Sequence, residues 1–334
     1  MKIMTIIGTR PQYIKIKPLY DYFKKSGIEH ILVDTCQHYS DNVSSVFLQE
    51  FNLSLDCKLD IRNSSPIEFI SECITKTARV IKRYDPEFVL VLGDTNSTLA
   101  AAIAAKKVGV NLAHVEAGVR CGDRSRPEEI NRIAVDALSD IHFTPREKDN
   151  KNVSNPVWAG DLEYSLLYRM EEDGNIGDID YQDFVLMTIH RDENTSVKRL
   201  KEIFKLCGKI NRPIIFPIHH RTKKIIEENN IKVPLNIELI RPQNYKEIIS
   251  LLRTCSYVIS DSGGIIKISP YFGKKCLIPL AVTEWDEVIE KGYSKYFNEQ
   301  TDMIFIWSKL LPRNRDLYRR NTCQIITDTL LNYE

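Results

Sequence analysis

The chain has 334 residues, 43% hydrophobic and 27% charged, with a formal net charge of +1. That length exceeds one ordinary core and suits two domains. The balanced charge, with Lys and Arg spread along the chain, gives neither nucleic acid nor an anionic membrane surface a reason to bind.

The first apolar run, Lys2 to Gly8, is too short to span a bilayer and has no small-residue cleavage site after it. It predicts a buried strand in a cytoplasmic protein. Thr9 and Arg10 then occupy a strand-to-helix turn, with Pro11 suited to the first helical turn because its missing N–H is not needed there. Arg10 beside a helix N-terminus suits an anion, and equally a solvated surface position. A second strand, His30 to Thr35, ends at Gln37 and His38, which also suit an ordinary loop; a helix follows from about Asp41 to Phe51. Residues 52 to 66 are polar and irregular. A helix over Ile67 to Arg83 leads to the strand Phe88 to Leu92, then an Ala-rich helix over Ser97 to Lys107. The strand Asn111 to Val115, a helix over Glu129 to Leu138, and strands at Asp140 to Phe143 and Val157 to Asp161 continue the alternation. Strand-helix alternation of this kind predicts a doubly wound parallel α/β sheet.

The acidic, glycine-containing stretch Glu171 to Asp180 is the linker candidate. A second alternation follows: strands at Phe184 to Ile189, Pro213 to Ile218, Ile237 to Ile240, Tyr257 to Ser260 and Lys275 to Ile278, with helices over Lys198 to Ile210 and from Ile265. Asp261-Ser262-Gly263-Gly264 at a strand-to-helix turn suits a phosphate, or merely a tight turn. The expected domains are therefore 1–170 and 171–315, with a final helix over Leu317 to Leu331, in the segment 316–334, packing back on the first.

Three carboxylates sit at or just beyond successive element ends in the first half: Asp94, Glu116 and Glu128. In an open parallel sheet those ends line a ligand crevice, and acids gathered there suit proton transfer. The alternative is that Asp94 caps the helix near Asn96 and Glu128 is a first-turn acid. The eight cysteines form no CxxC pair and no Cys/His cluster of zinc spacing, so all are expected as reduced thiols. Cys121 alone lies near the acids.

In order along the chain stand Gly8-Thr9-Arg10-Pro11, Gln37-His38, Gly93-Asp94-Thr95-Asn96, His114-Val115-Glu116-Ala117-Gly118, Pro127-Glu128-Glu129-Ile130-Asn131-Arg132, His190-Arg191 and Asp261-Ser262-Gly263-Gly264. Together they resemble the non-hydrolysing UDP-N-acetylglucosamine 2-epimerases, from the first strand to about residue 290. The resemblance implies two Rossmann-like domains facing a cleft, the GT-B arrangement. It implies reversible inversion at C2 of a UDP-2-acetamido sugar for surface polysaccharide synthesis, by elimination and re-addition of UDP. It further implies catalytic roles for Asp94, Glu116, Glu128 and His190. Substrate and nucleotide contacts are implied for Arg10, Lys15, Gln37, His38, Arg132, His219, Arg221, Ser262, Gly263 and Gly264. No metal or redox cofactor is called for, and a homodimer is expected.

Departures cluster in the second half. After DSGG the family usually carries an acid that grips the ribose hydroxyls; here Ile268 stands there. Losing such a bond costs about 1.5–3 kcal/mol, about tenfold or more in affinity. Pro279-Leu280-Ala281 replaces the usual Met-Arg-Asp run, and His220 the usual proline. Two other readings therefore stand beside the isomerase: a GT-B-type glycosyltransferase, and a non-catalytic nucleotide-sugar-binding relative. Gln12 and Thr283-Glu284-Trp285 resemble the subgroup acting on UDP-2,3-diacetamido-glucuronic acid.

Overall fold

The structure is a computed structural model and describes residues 1–37, 47–61, 65–280, 282–298 and 311–333. His38 and most of the helix expected from Asp41 lie outside the described residues. The chain divides into two compact units, Met1–Arg169 with Tyr318–Glu334, and Met170–Leu317.

The first unit is built on the strands β1 (Lys2–Ile7), β2 (Glu29–Asp34), β3 (Cys57–Lys58), β4 (Phe88–Leu92), β5 (Asn111–Val115), β6 (Ile141–Thr144) and β7 (Pro156–Trp158). They form one sheet in the order β3-β2-β1-β4-β5-β6-β7, parallel throughout. Its helices are α1 (Arg10–Lys25), α2 (Pro66–Tyr84), α3 (Asn96–Val108), α4 (Pro127–Leu138) and α5 (Leu162–Glu172), the last of which passes into the second unit at Met170. The central strands are near-continuous apolar runs because helices cover both faces: every residue of β4 is buried. The strand order reverses between β1 and β4, which places the switch-point crevice at the ends of those two strands.

Local chemistry fixes that crevice. Gln12 Oε1 accepts from the backbone amides of Gly8 at 2.9 Å and Thr9 at 3.1 Å, while its Nε2 donates to the Leu92 carbonyl at 2.8 Å. One buried amide thus ties the β1–α1 turn to the end of β4. The α3 cap is Thr95, whose hydroxyl accepts from the Thr98 amide.

The second unit holds β8 (Val185–Thr188), β9 (Ile214–Pro217), β10 (Ile237–Ile240), β11 (Tyr257–Ser260), β12 (Cys276–Ile278) and β13 (Ser294–Tyr296). Its sheet runs β10-β9-β8-β11-β12-β13, also parallel. The helices are α6 (Asp192–Thr195), α7 (Val197–Cys207), α8 (His220–Glu228), α9 (Tyr245–Thr254), α10 (Gly263–Ile268) and α11 (Asp286–Glu290). Here the order reverses between β8 and β11. Both units are the doubly wound parallel α/β sheets that the alternation predicts.

Several boundaries differ from the sequence reading. Glu171 and Glu172 close α5 and do not begin a linker. The final helix, α12 (Thr322–Leu331), starts five residues later than expected and packs against α1. Tyr318, ahead of it, is buried against Tyr164 with ring centroids 4.7 Å apart.

Candidate active site

The ends of β4 and β5 lie side by side: the Gly93 amide donates to the Val115 carbonyl at 3.0 Å. A Cβ on Gly93 would come within 3.3 Å of Glu116 Oε2. Asp94 and Glu116 therefore leave adjacent strands together. Glu116 has φ +67°, a left-handed backbone that costs a non-glycine residue on the order of 1–3 kcal/mol and recurs at functional sites.

Each acid faces a cation. Lys15 Nζ, from α1, is 2.5 Å from Glu116 Oε2. Arg132 Nη2, from α4, bonds Asp94 Oδ2, while its Nη1 donates to Glu129 Oε2 at 3.0 Å. Glu129 also accepts the amides of Cys121 and Gly122, both at 3.1 Å. Burial would raise its carboxyl, but those amides and Arg132 outweigh it and hold Glu129 below the usual carboxylate range. Asn131 Nδ2 donates to the Asp94 carbonyl at 2.8 Å. Asp94 is thus engaged with α4 and leaves the capping of α3 to Thr95.

The other first-unit candidates are placed differently. Glu128 is exposed in the first turn of α4. Arg10 opens α1 with its guanidinium 4.9 Å above the Phe47 ring. Gln37 Oε1 accepts from Ser97, at 3.0 Å from the amide and 2.7 Å from the hydroxyl. Cys121 has its thiol pushed up, by burial first, which leaves it no activated nucleophile. All eight cysteines are free.

In the second unit His190 follows β8 and Asp261 follows β11, across the switch point. His190 Nδ1 lies 3.0 Å from Asp261 Oδ1. Asp261 also accepts the amides of His190 at 3.1 Å and Arg191 at 3.0 Å, and Asn194 Nδ2 at 3.1 Å. Burial opposes ionisation of Asp261, but these bonds, His190's first, keep its carboxyl below the ordinary range. The His190 side chain is 52% exposed, so the imidazole is held from Nδ1 and presents its other edge outward.

Beside it, Ser262, Gly263 and Gly264 start α10. Gly263 is closely approached: a Cβ there would meet Trp285 Nε1 at 3.1 Å and Glu284 Oε1 at 3.2 Å. Arg191 Nη2 lies 3.3 Å from Glu284 Oε1, and Lys267, fully buried, stands 4.9 Å above the Trp285 ring. Ile268 is fully buried as well, so position 268 offers a ligand no polar group. His219 caps α8, its Nδ1 accepting from the Arg221 amide at 3.3 Å; the exposed Arg221 pairs with Asp192.

Sequence reasoning left Glu129 and Asp261 as members of motifs without tasks. Glu129, Arg132 and Asp136 at spacing i, i+3, i+7 share one helix face, and that pattern was the available signal for Glu129. Among the described residues no three of His, Cys, Asp or Glu gather as metal ligands would, and no helix is long and apolar enough to cross a membrane.

A family model described as UDP-N-acetylglucosamine 2-epimerase matches residues 22–322. A UDP-2,3-diacetamido-2,3-dideoxy-D-glucuronate 2-epimerase of Pseudomonas aeruginosa is 36% identical, over 91% of this chain and 90% of its own. A UDP-N-acetylglucosamine 2-epimerase of Methanocaldococcus jannaschii is 34% identical, over 87% of each. The crystal structure of the Neisseria meningitidis UDP-GlcNAc 2-epimerase bound to UDP-GlcNAc superposes with a TM-score of 0.89 at 28% identity, covering 99% of this chain and 100% of that one. Strand-end acids held by Lys15 and Arg132, a tethered histidine beside a glycine turn and this extent of likeness agree: the chain belongs to the UDP-N-acetylglucosamine 2-epimerase family.

Proposed function

We propose that this chain is an isomerase that inverts C2 of a UDP-2-acetamido sugar by eliminating and re-adding UDP. In the forward half-reaction a carboxylate takes the C2 proton, the C1–C2 double bond forms, and the C1–O bond breaks with its electron pair leaving on UDP. In the second half UDP oxygen attacks C1, the double bond opens, and a proton is delivered to the opposite face of C2. The observation that carries this reading is the pairing of Lys15 with Glu116 and Arg132 with Asp94 at adjacent strand ends. A proton on a neutral sugar carbon is barely acidic, so its removal needs a positioned carboxylate and concurrent relief of charge on the departing diphosphate.

Asp94 and Glu116 are the proton-transfer groups, with Glu128 the third acid of the set and Lys15 and Arg132 fixing the first two. His190, held by Asp261, and Arg10 balance the charge of the leaving diphosphate. Gln37 and His38 complete the sugar contacts of the first unit. Ser262, Gly263 and Gly264 bring backbone amides to the phosphates, with His219 and Arg221 as further nucleotide contacts. The protein acts in the cytoplasm as a homodimer. Asp94→Asn and Glu116→Gln keep size and remove the basic oxygen. Each is expected to lower kcat by about 1000-fold or more with the circular dichroism spectrum unchanged. Near-normal rates in both variants would refute the assignment.

A further inference from the structure

His114 and Asp136 belong to none of the groups assigned above, yet both are buried behind the acid-bearing strand ends. His114 is the fourth residue of β5, in register with Val91 of β4. Its Nε2 is 2.8 Å from the Gly93 carbonyl, the carbonyl of the peptide that joins Gly93 to Asp94. A carbonyl only accepts, so the ring donates there. Its Nδ1 is 2.6 Å from Asp136 Oδ1. The other Asp136 oxygen accepts the Gly118 amide at 3.1 Å and faces Arg120 Nη1 at 2.6 Å. Burial would raise the Asp136 carboxyl, but His114 and Arg120 outweigh it and hold it below the usual range. Gly118 itself has no room to shift or grow: its φ is +77°, and a Cβ would stand 2.5 Å from the Asp149 carbonyl oxygen.

The chain of bonds thus runs from the Gly93 carbonyl through His114 and Asp136 to the Gly118 amide. One end grips the peptide that carries Asp94. The other grips the backbone two residues beyond Glu116, while His114 itself lies two residues before it. Glu116, the one with the left-handed backbone, is clamped from both sides.

We infer that Asp136 and His114 are positioning residues for the proposed reaction: one buried hydrogen-bonded unit fixes the spacing of Asp94 and Glu116. Both side chains are buried, with almost no surface of their own to offer a substrate. Their effect is on the geometry of the proton-transfer groups, and proton transfer at carbon is sensitive to displacements of about 1 Å. The inference rests on the proposed epimerase activity.

The test uses the full chain with Asp136→Asn, His114→Leu and His114→Gln. Turnover is assayed on UDP-N-acetylglucosamine and on UDP-2,3-diacetamido-2,3-dideoxy-glucuronate, and molecules are counted by titration with UDP, so that misfolded protein drops out of kcat. Asp136→Asn and His114→Leu are expected to lower kcat by about tenfold or more with KM within about threefold of wild type. His114→Gln, whose amide still donates to the Gly93 carbonyl, is expected to recover part of that loss. A kcat within about twofold of wild type in Asp136→Asn and His114→Leu, or a loss confined to KM, overturns the inference while the epimerase reading stands. Wild-type protein that binds UDP but turns over neither sugar overturns the epimerase reading, and this inference with it.

Discussion

Lys15 and Arg132 come from different helices, α1 and α4, yet each meets an acid at the same end of one sheet. The approach of the two acids was legible in the sequence, because strand-end position brings Asp94 and Glu116 to the crevice of a parallel sheet; their pairing with Lys15 and Arg132 was not. The bonds of His114 and Asp136 were not, because they depend on the register of β4 against β5 and on which face of α4 is inward. His30 makes a different use of burial. Its ring meets those of Tyr20 and Phe23 edge-on, with centroids 5.6 and 5.0 Å away. Its Nε2 is 2.8 Å from Thr5 Oγ1. Burial pushes its pKa from 6.5 down to about 4. The unfolded chain therefore takes up this proton first, and the stability contributed by neutral His30 is full above pH 6.5 and drains away as pH falls toward 4. The depressed carboxyls of Glu129, Asp136 and Asp261 lose their contribution only below the usual carboxylate range. Urea midpoints at pH 7 and pH 5 should consequently fall in wild type and fall less in His30→Leu. Equal falls in both would contradict this account of His30.

At the scale of elements, the Ala-rich α3 shows how a sequence sets a packing distance. Ala100, Ala101, Ala102, Ala104 and Ala105 are all fully buried, so this helix is enclosed on nearly every side and approaches its neighbours closely. A larger side chain has nowhere to go. Ala101→Leu is expected to destabilise the protein by about 1–3 kcal/mol, read as a lower urea midpoint; an unchanged midpoint would show slack in that contact. The long apolar runs gave their strands away, since a strand covered on both faces is hydrophobic throughout. What the sequence hid were the short or amphipathic elements. β3 has two residues and β13 three, too few for any periodicity. α8 and α9 are short helices of mixed composition following strand ends, where loop-like residues such as His219 and Asn244 turn out to be their caps. The acidic end of α5 looked like a linker because Glu171 and Glu172 carry no core signal. In the structure Glu171 instead accepts from Tyr271 at 2.8 Å and from Arg315 at 2.5 Å.

For the molecule as a whole, the sequence carried the class of fold through alternation and the family through seven ordered motifs. The sequence reading expects the final helix to pack back on the first domain, and in the structure the residues from Tyr318 group with the first unit; the contact that holds them there, Tyr318 on Tyr164, is one no local pattern announces. The sequence did not show how the second unit accommodates Ile268 and Lys267, both of which are fully buried. The proposed reaction requires that the C2 proton of a UDP-2-acetamido sugar exchange with solvent. Proton NMR of the purified chain with UDP-N-acetylglucosamine, and separately with UDP-2,3-diacetamido-2,3-dideoxy-glucuronate, in heavy water tests it most directly. Loss of the C2 proton signal is expected on at least one sugar, with growth of the manno-configured product carrying deuterium at C2. Folded protein that binds UDP yet leaves the C2 proton of both sugars in place would contradict it.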